Sequence, residues 1–320
     1  MIAVLAYTEF LEREYLETFV AQGGAAVKFA VAPNSEDTDQ LSARLHQRAA
    51  EFGYLTAKVD AAAVRIHLID QIWFSIAAQV DWQALAAQAV RSAYSHASWP
   101  VPLGSESVTV ESVAAHYGID AGELNRDINR VLQTRIYREY AMVQEFRTAM
   151  LRLCQAQLGT GQVSEAEAAA VLSWLRGELK QVSLLKSALI FRKIGRHNAR
   201  QLIFSLCHWL TINGRVGLLL ELDVRRLGFA RRPLPHEREG LYYTKAAVLD
   251  AYEMLRQLID NTDELSNCCV LVLAAGEFLT DENRGVDAYQ ALKLRILDEV
   301  RDRRRDNPYS SLVRLGVTRD

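Results

Sequence analysis

The sequence predicts an α/β fold in which a parallel sheet flanked by helices is interrupted by a large helical insertion, and three observations predict it. Near both ends of the chain, short apolar runs rich in β-formers alternate with segments of helical period, the pattern of βαβ units whose crossovers force parallel strands. Between them, residues 82–189 carry helical periodicity alone. The 320 residues are 50% hydrophobic and 24% charged, enough for one substantial core and a second, smaller module.

Residues 26–32 (AVKFAVA) read as the first strand, and 37–52 place Leu41, Leu45 and Ala49 on one face of a helix. Gly53 closes that helix, 54–60 (YLTAKVD) read as the second strand, and Ile69, Ile72, Ile76 and Ala77 follow at helical spacing. These elements form the first part of the core, assigned to 1–81. The insertion, 82–190, is broken by a Pro-containing loop at 99–107 and a Gly-rich turn at 159–162. Within it, Ser164 and Glu167 have capping-box spacing and start a helix running towards Trp174 and Arg176. The second part of the core, 191–320, opens with a helix over 198–212 and passes through Asn213-Gly214 into a third strand, 216–223 (VGLLLELD). A helix over 245–259, a fourth strand at 269–274 (CVLVLA), a charged helix over 288–303 and a last strand at 311–315 complete the pattern.

A net charge of −2 gives no global attraction to nucleic acid or anionic membrane, so such contacts require a local patch. The N-terminal residues turn acidic before an apolar stretch could serve as a signal peptide. No later run approaches the roughly 20 apolar residues that span a bilayer, so a cytoplasmic protein is expected. Cys154, Cys207, Cys268 and Cys269 lack the paired spacing of a zinc site and read as reduced and structural, and the scattered histidines predict no metal site.

A strand ending in a loop and a helix, with a later apolar strand ending in Asp, is the layout of a P-loop NTPase-like core. That chemistry needs glycines so that backbone N–H groups can wrap phosphates, a Lys to neutralise them, and a Ser or Thr to hold magnesium. Here the loop reads Ala32-Pro33-Asn34-Ser35-Glu36-Asp37-Thr38-Asp39-Gln40, with neither Gly nor Lys and with three carboxylates where a triphosphate would bind. Like charges ~4 Å apart oppose one another by roughly 1 to 4 kcal/mol per pair, so this loop is expected to repel ATP. The same residues also suit a plain helix start, where acidic groups complement the macrodipole. The third strand ends in Asp223, the place of a magnesium-binding acid, but Val224 follows where a water-activating Glu would stand. Glu221, two residues earlier on the same strand face, is the remaining candidate acid. No cofactor is expected; ATP and magnesium belong to an alternative in which Asp223 and Glu221 work with a phosphate grip from elsewhere.

Five further blocks run in order along nearly the whole chain: Gly23-Gly24-Ala25-Ala26-Val27-Lys28-Phe29, Ser173-Trp174-Leu175-Arg176-Gly177-Glu178, Arg192-Lys193-Ile194 leading to Asn198-Ala199, residues 217–223, and Tyr252-Glu253-Met254-Leu255-Arg256-Gln257-Leu258-Ile259-Asp260-Asn261. In them the sequence resembles the BrxD-like ATP-binding proteins of BREX-type antiphage islands. The resemblance implies a AAA+ or STAND-like ATPase acting with other defence proteins, an active ATPase, helicase or nuclease, on phage DNA. Counting back from Gly53, the family's phosphate-binding Lys falls on Thr38 and its magnesium-binding Ser/Thr on Asp39. The sensor strand, which in relatives ends in a polar residue, ends here in Ala274-Ala275-Gly276. The expectation is a degenerate ATPase-like subunit that serves such partners in a hetero- or homo-oligomer; the alternatives are an active ATPase with atypical motifs and a DNA-binding adaptor.

Two basic features bear on the last alternative. Residues 110–136 contain a helix, a turn at Gly118 and a second helix offering Asn125, Arg126, Asn129 and Arg130 on or near one face, a pattern shared by a helix-turn-helix and a plain helical hairpin. Arg225, Arg226, Arg231 and Arg232 surround Pro233 and Pro235 and read either as solvated loop charge or as a contact for nucleic acid or a neighbouring subunit. Arg301, Arg303, Arg304 and Arg305 read as the polar end of the last helix, with an arginine finger as the alternative.

Overall fold

The computed structural model describes residues 1–105, 107–229, 240–297 and 306–316. The chain divides into one unit built from Met1–Ile76 and Arg215–Asp320 and another built from Ala77–Gly214.

The first unit opens with α1 (Val4–Phe10), which continues as π-helical turns over Leu11–Phe19. There follow β1 (Ala25–Ala32), α2 (Ser35–Glu51), β2 (Leu55–Asp60) and α3 (Ile69–Gln79), the last running on into the second unit. The second unit is helical: α4 (Trp82–His96), α5 (Val110–Tyr117), α6 (Ala121–Leu132), α7 (Gln144–Gln157), α8 (Glu165–Leu175) and α9 (Ala199–Ile212). Its core includes the edge-on pair Trp82 and Phe146, with ring centroids 6.1 Å apart, and the fully buried Trp209. The chain returns through β3 (Leu218–Asp223), α10 (Lys245–Asp260), β4 (Cys268–Ala275), α11 (Glu277–Thr280), α12 (Gln290–Ile296) and β5 (Leu312–Arg314).

The five strands form one sheet in the order β2-β3-β4-β1-β5, and every pairing is parallel. β3 and β4 are unbroken apolar runs apart from Glu221 and the strand ends, as strands buried on both faces must be. One face of the sheet packs Ala30, Leu219, Leu271 and Leu273 against Leu11 and Leu16 of the π-helical segment and Leu41, Leu45 and Ala49 of α2. On the other, Phe29 stacks on Phe278 at 6.0 Å, and Phe278 meets Tyr252 of α10 edge-on at 5.6 Å. Gly217 admits β3 to the sheet: a Cβ there would fall 2.1 Å from the Asn267 carbonyl oxygen.

The α/β reading and each expected strand are present. The expected last helix is described only as α12, and Arg301, Arg303, Arg304 and Arg305 lie outside the described residues. No element was expected before residue 26, yet α1 and the turns after it supply much of one face of the core. All four cysteines are free and buried, and burial pushes the Cys269 thiol up to about 12. Among the described residues no helix is long and apolar enough to cross a membrane, and no cluster of His, Cys, Asp or Glu is arranged to hold a metal ion.

Candidate functional site

Because the strands are parallel, the carboxyl ends of β1, β3 and β4 open on one edge of the sheet, where α/β proteins place their ligands. β1 passes to α2 through Pro33 and Asn34 alone. Asn34 has an extended backbone and its Oδ1 accepts the Asp37 backbone N–H at 3.0 Å, so the helix start is capped by its own side chain. Thr38 is buried, and its hydroxyl donates to the Ser35 carbonyl at 2.8 Å. Ser35, Glu36 and Asp39 are exposed and Asp37 half-buried, so the acidic first turn meets the positive end of the helix.

β3 ends in Asp223, and Arg225–Gly228 then form a single 3₁₀ turn that folds the Arg225 side chain back over the strand end. Its Nε donates to both Asp223 carboxylate oxygens at 3.0 Å and its Nη2 to Oδ2 at 2.5 Å, while the Arg225 backbone N–H donates to Oδ1 at 3.0 Å. Its remaining terminal nitrogen, Nη1, donates to Thr38 Oγ1 at 3.1 Å and pairs with Asp39 Oδ1 at 2.9 Å. One guanidinium therefore joins the loop after β1 to the end of β3. The bonds to Asp223 raise its pKa, so it stays a fixed cation. Arg225, grouped in the sequence with Arg226, Arg231 and Arg232, is thus engaged by two carboxylates of its own chain. Arg226 donates from Nε to the Leu241 carbonyl at 2.7 Å and lies over the Phe229 ring at 4.4 Å. Arg231 and Arg232 lie outside the described residues.

Glu221, the other candidate acid, stands two residues before Asp223 on β3. It points to the same sheet face as Asp223 but lies beneath α2, 5% exposed, rather than at the strand ends. His46 Nε2 stands 3.1 Å from its Oε2, off the hydrogen-bond direction, and Lys58, its neighbour across β2, brings Nζ to 3.9 Å from Oε1. Lys58 also donates to Ser42 Oγ at 2.6 Å. Burial pushes the Glu221 carboxyl up, but the contacts with His46 and Ser42 and the charge of Lys58 outweigh it and hold the group below the usual carboxylate range. The carboxylate thus sits in a cluster with Ser42, His46 and Lys58. Ser42, His46 and Lys58 were not anticipated. The signal was present in Thr38, Ser42 and His46, four residues apart on α2, a polar stripe beside the apolar one.

β4 ends as expected in Ala274, Ala275 and Gly276, without a polar side chain over the edge. A cavity of about 870 Å³ lies on the β5 side of β1, against Pro33, Leu279, Ile296 and Leu312. Neither Thr38, Asp39, Asp223 nor Arg225 lines it, so cavity and loop adjoin only at Ala32 and Pro33.

In the helical unit the four residues singled out on α6 come together. Asn125, Arg126, Asn129 and Arg130 line one groove of about 520 Å³ with Gln133, Thr160 and Gln162, three residues the sequence reading left out.

Fold and site together define an α/β protein with a five-stranded parallel sheet flanked by helices, compatible with a P-loop NTPase-like fold. Residues 16–318 match the family model described as BREX system ATP-binding protein BrxC/D, and the chain belongs to that family. No curated protein and no solved structure matches it.

Proposed function

We propose that the chain is a degenerate P-loop ATPase-like subunit of a BREX defence assembly, acting in the cytoplasm as an interaction or regulatory partner of an active ATPase, helicase or nuclease. Residues 1–81 and 191–320 are the two parts of its ATPase-like core and 82–190 its insertion. The observation that carries the reading is the Arg225 guanidinium bound to Asp223, Thr38 and Asp39.

A magnesium triphosphate needs a cationic, amide-rich loop and an acid free to hold the metal. Here Arg225 already satisfies Asp223, and Thr38 and Asp39 stand at the positions of the gripping Lys and the metal-binding hydroxyl. The residues present do not fit the ligand that the family's description implies. Entry of ATP would displace a guanidinium from two carboxylates and set a tetra-anion beside Glu36, Asp37 and Asp39, at roughly 1 to 4 kcal/mol for each like-charge pair. The other core feature is equally unsuited: Val224 is a buried aliphatic side chain where a general base would stand.

Isothermal titration of the whole chain with ATP and magnesium is expected to give no heat of binding. A micromolar dissociation constant would overturn the reading in favour of an active ATPase with atypical motifs.

A further inference from the structure

The groove on α6 has a composition seen nowhere else around the sites described. Its lining is two guanidiniums, three side-chain amides from Asn125, Asn129 and Gln133, a fourth from Gln162, and the Thr160 hydroxyl, with no carboxylate and no apolar side chain. Those are the groups that meet phosphate oxygens and the edges of bases.

The backbone presents them suitably. α5 ends at Gly118, whose φ of 66° is left-handed, and the chain re-enters a helix after only Gly118, Ile119 and Asp120. Asp120 caps α6 by accepting the Glu123 backbone N–H at 2.8 Å. Two helices joined by a three-residue turn containing Gly have the layout of a helix-turn-helix, whose second helix enters the DNA major groove. Leu124, Ile128 and Leu132 of α6 are buried, which turns Arg126 and Arg130 to solvent on the far side. Glu123 and Asp127 fall on the other flank from Asn125 and Asn129. Asp127 pairs with Arg130 at 3.2 Å, but with Arg130's side chain 77% exposed the pair yields readily to a phosphate.

The amide flank is held in place. The buried Gln155 of α7 donates to Asn129 Oδ1 at 2.9 Å, and Asn129 Nδ2 donates to the Asn125 carbonyl at 3.0 Å and to Asn125 Oδ1 at 2.8 Å. That fixes the Asn125 amide with its amino group unbonded among the described residues. The Arg126 guanidinium has no partner among them either, and the Thr160 hydroxyl is buried without one.

We infer that this groove binds duplex DNA, with α6 in the major groove, Arg126 and Arg130 on phosphates and Asn125 on a base edge. This site is independent of the nucleotide question in the other unit.

The test is fluorescence anisotropy of the whole chain with labelled duplex DNA, duplex RNA and single-stranded DNA of equal length, over a range of salt. Duplex DNA should bind best and weaken as salt rises. Arg126→Ala and Arg130→Ala should each weaken it by about tenfold and each flatten the log–log salt slope by about 0.9. Asn125→Ala should narrow the difference between DNA sequences and leave the slope alone. Arg65→Ala, an exposed change in the other unit, should leave affinity as it was. The inference is overturned by absent or salt-insensitive binding, by wild-type affinity in the Arg126 and Arg130 variants, or by preference for RNA or single strands.

Discussion

Arg225→Ala should destabilise the protein by about 2 kcal/mol, between the values for exposed and buried ion pairs. The middle value follows from exposure: the Arg225 and Asp223 side chains are 25% and 16% exposed, whereas Asp39 is 59% exposed and solvent screens its share. The fork onto Asp223 carries most of the effect, because Lys at the same place offers a point charge without two-pronged geometry; Arg225→Lys should recover less than half of the loss. Chemical denaturation checks both. The same variant also tests what the guanidinium replaces. Without it, Asp223, Asp39 and Thr38 leave hard oxygen donors facing a space relieved of its cation. Magnesium should then raise the midpoint of Arg225→Ala and leave wild type unmoved; at ten times its dissociation constant it would return about 1.4 kcal/mol. An equal response of the two proteins to magnesium, or a loss under about 0.5 kcal/mol, would show that Arg225 is an ordinary surface pair.

That guanidinium also marks where sequence reading stopped. β3 and β4 were legible because an apolar run bounded by turn residues has few other fates, and the missing Gly and Lys of the first loop needed no coordinates. The sheet order was not legible, since parallel strands buried on both faces look alike in composition. The N-terminal helix was legible in Val4, Tyr7 and Leu11, buried at helical spacing, but that short apolar stretch was weighed only as a leader peptide, a role the acidic residues after it oppose. Arg225 was counted with its basic neighbours because proximity in sequence says nothing of direction; the 3₁₀ turn, visible only in space, folds it onto the strand end. On α6 the reverse held. A regular helix converts spacing into a face, so Asn125, Arg126, Asn129 and Arg130 were found together, while Thr160 and Gln162 came from a turn far along the chain.

Glu221 supplies the other large effect, and its pH dependence has a definite sign. Glu221→Ala removes a buried carboxylate from beneath α2 and leaves the space beside His46, 11% exposed, unfilled, while Lys58, 49% exposed, can turn to solvent, which should cost about 2 kcal/mol. Glu221→Gln keeps the shape and removes only the charge. The folded-state pKa of Glu221 lies below its unfolded value of 4.5, so its contribution is complete above pH 4.5 and fades as pH falls through the folded value. Other carboxylates are held low as well, Glu253 by Arg256 down to about 2 and Asp260 by Arg295, so wild type loses acid stability from several places at once. The difference between wild type and Glu221→Gln isolates one of them: their stabilities should be furthest apart at neutral pH and converge below pH 4.5. A gap that stays constant down the acid range would mean that Glu221 acts through packing and that its charge is already matched in the unfolded chain. A gap that closes places the buried carboxylate, with Ser42, His46 and Lys58, as the electrostatic tie holding α2 on the sheet beneath the loop that Arg225 fills.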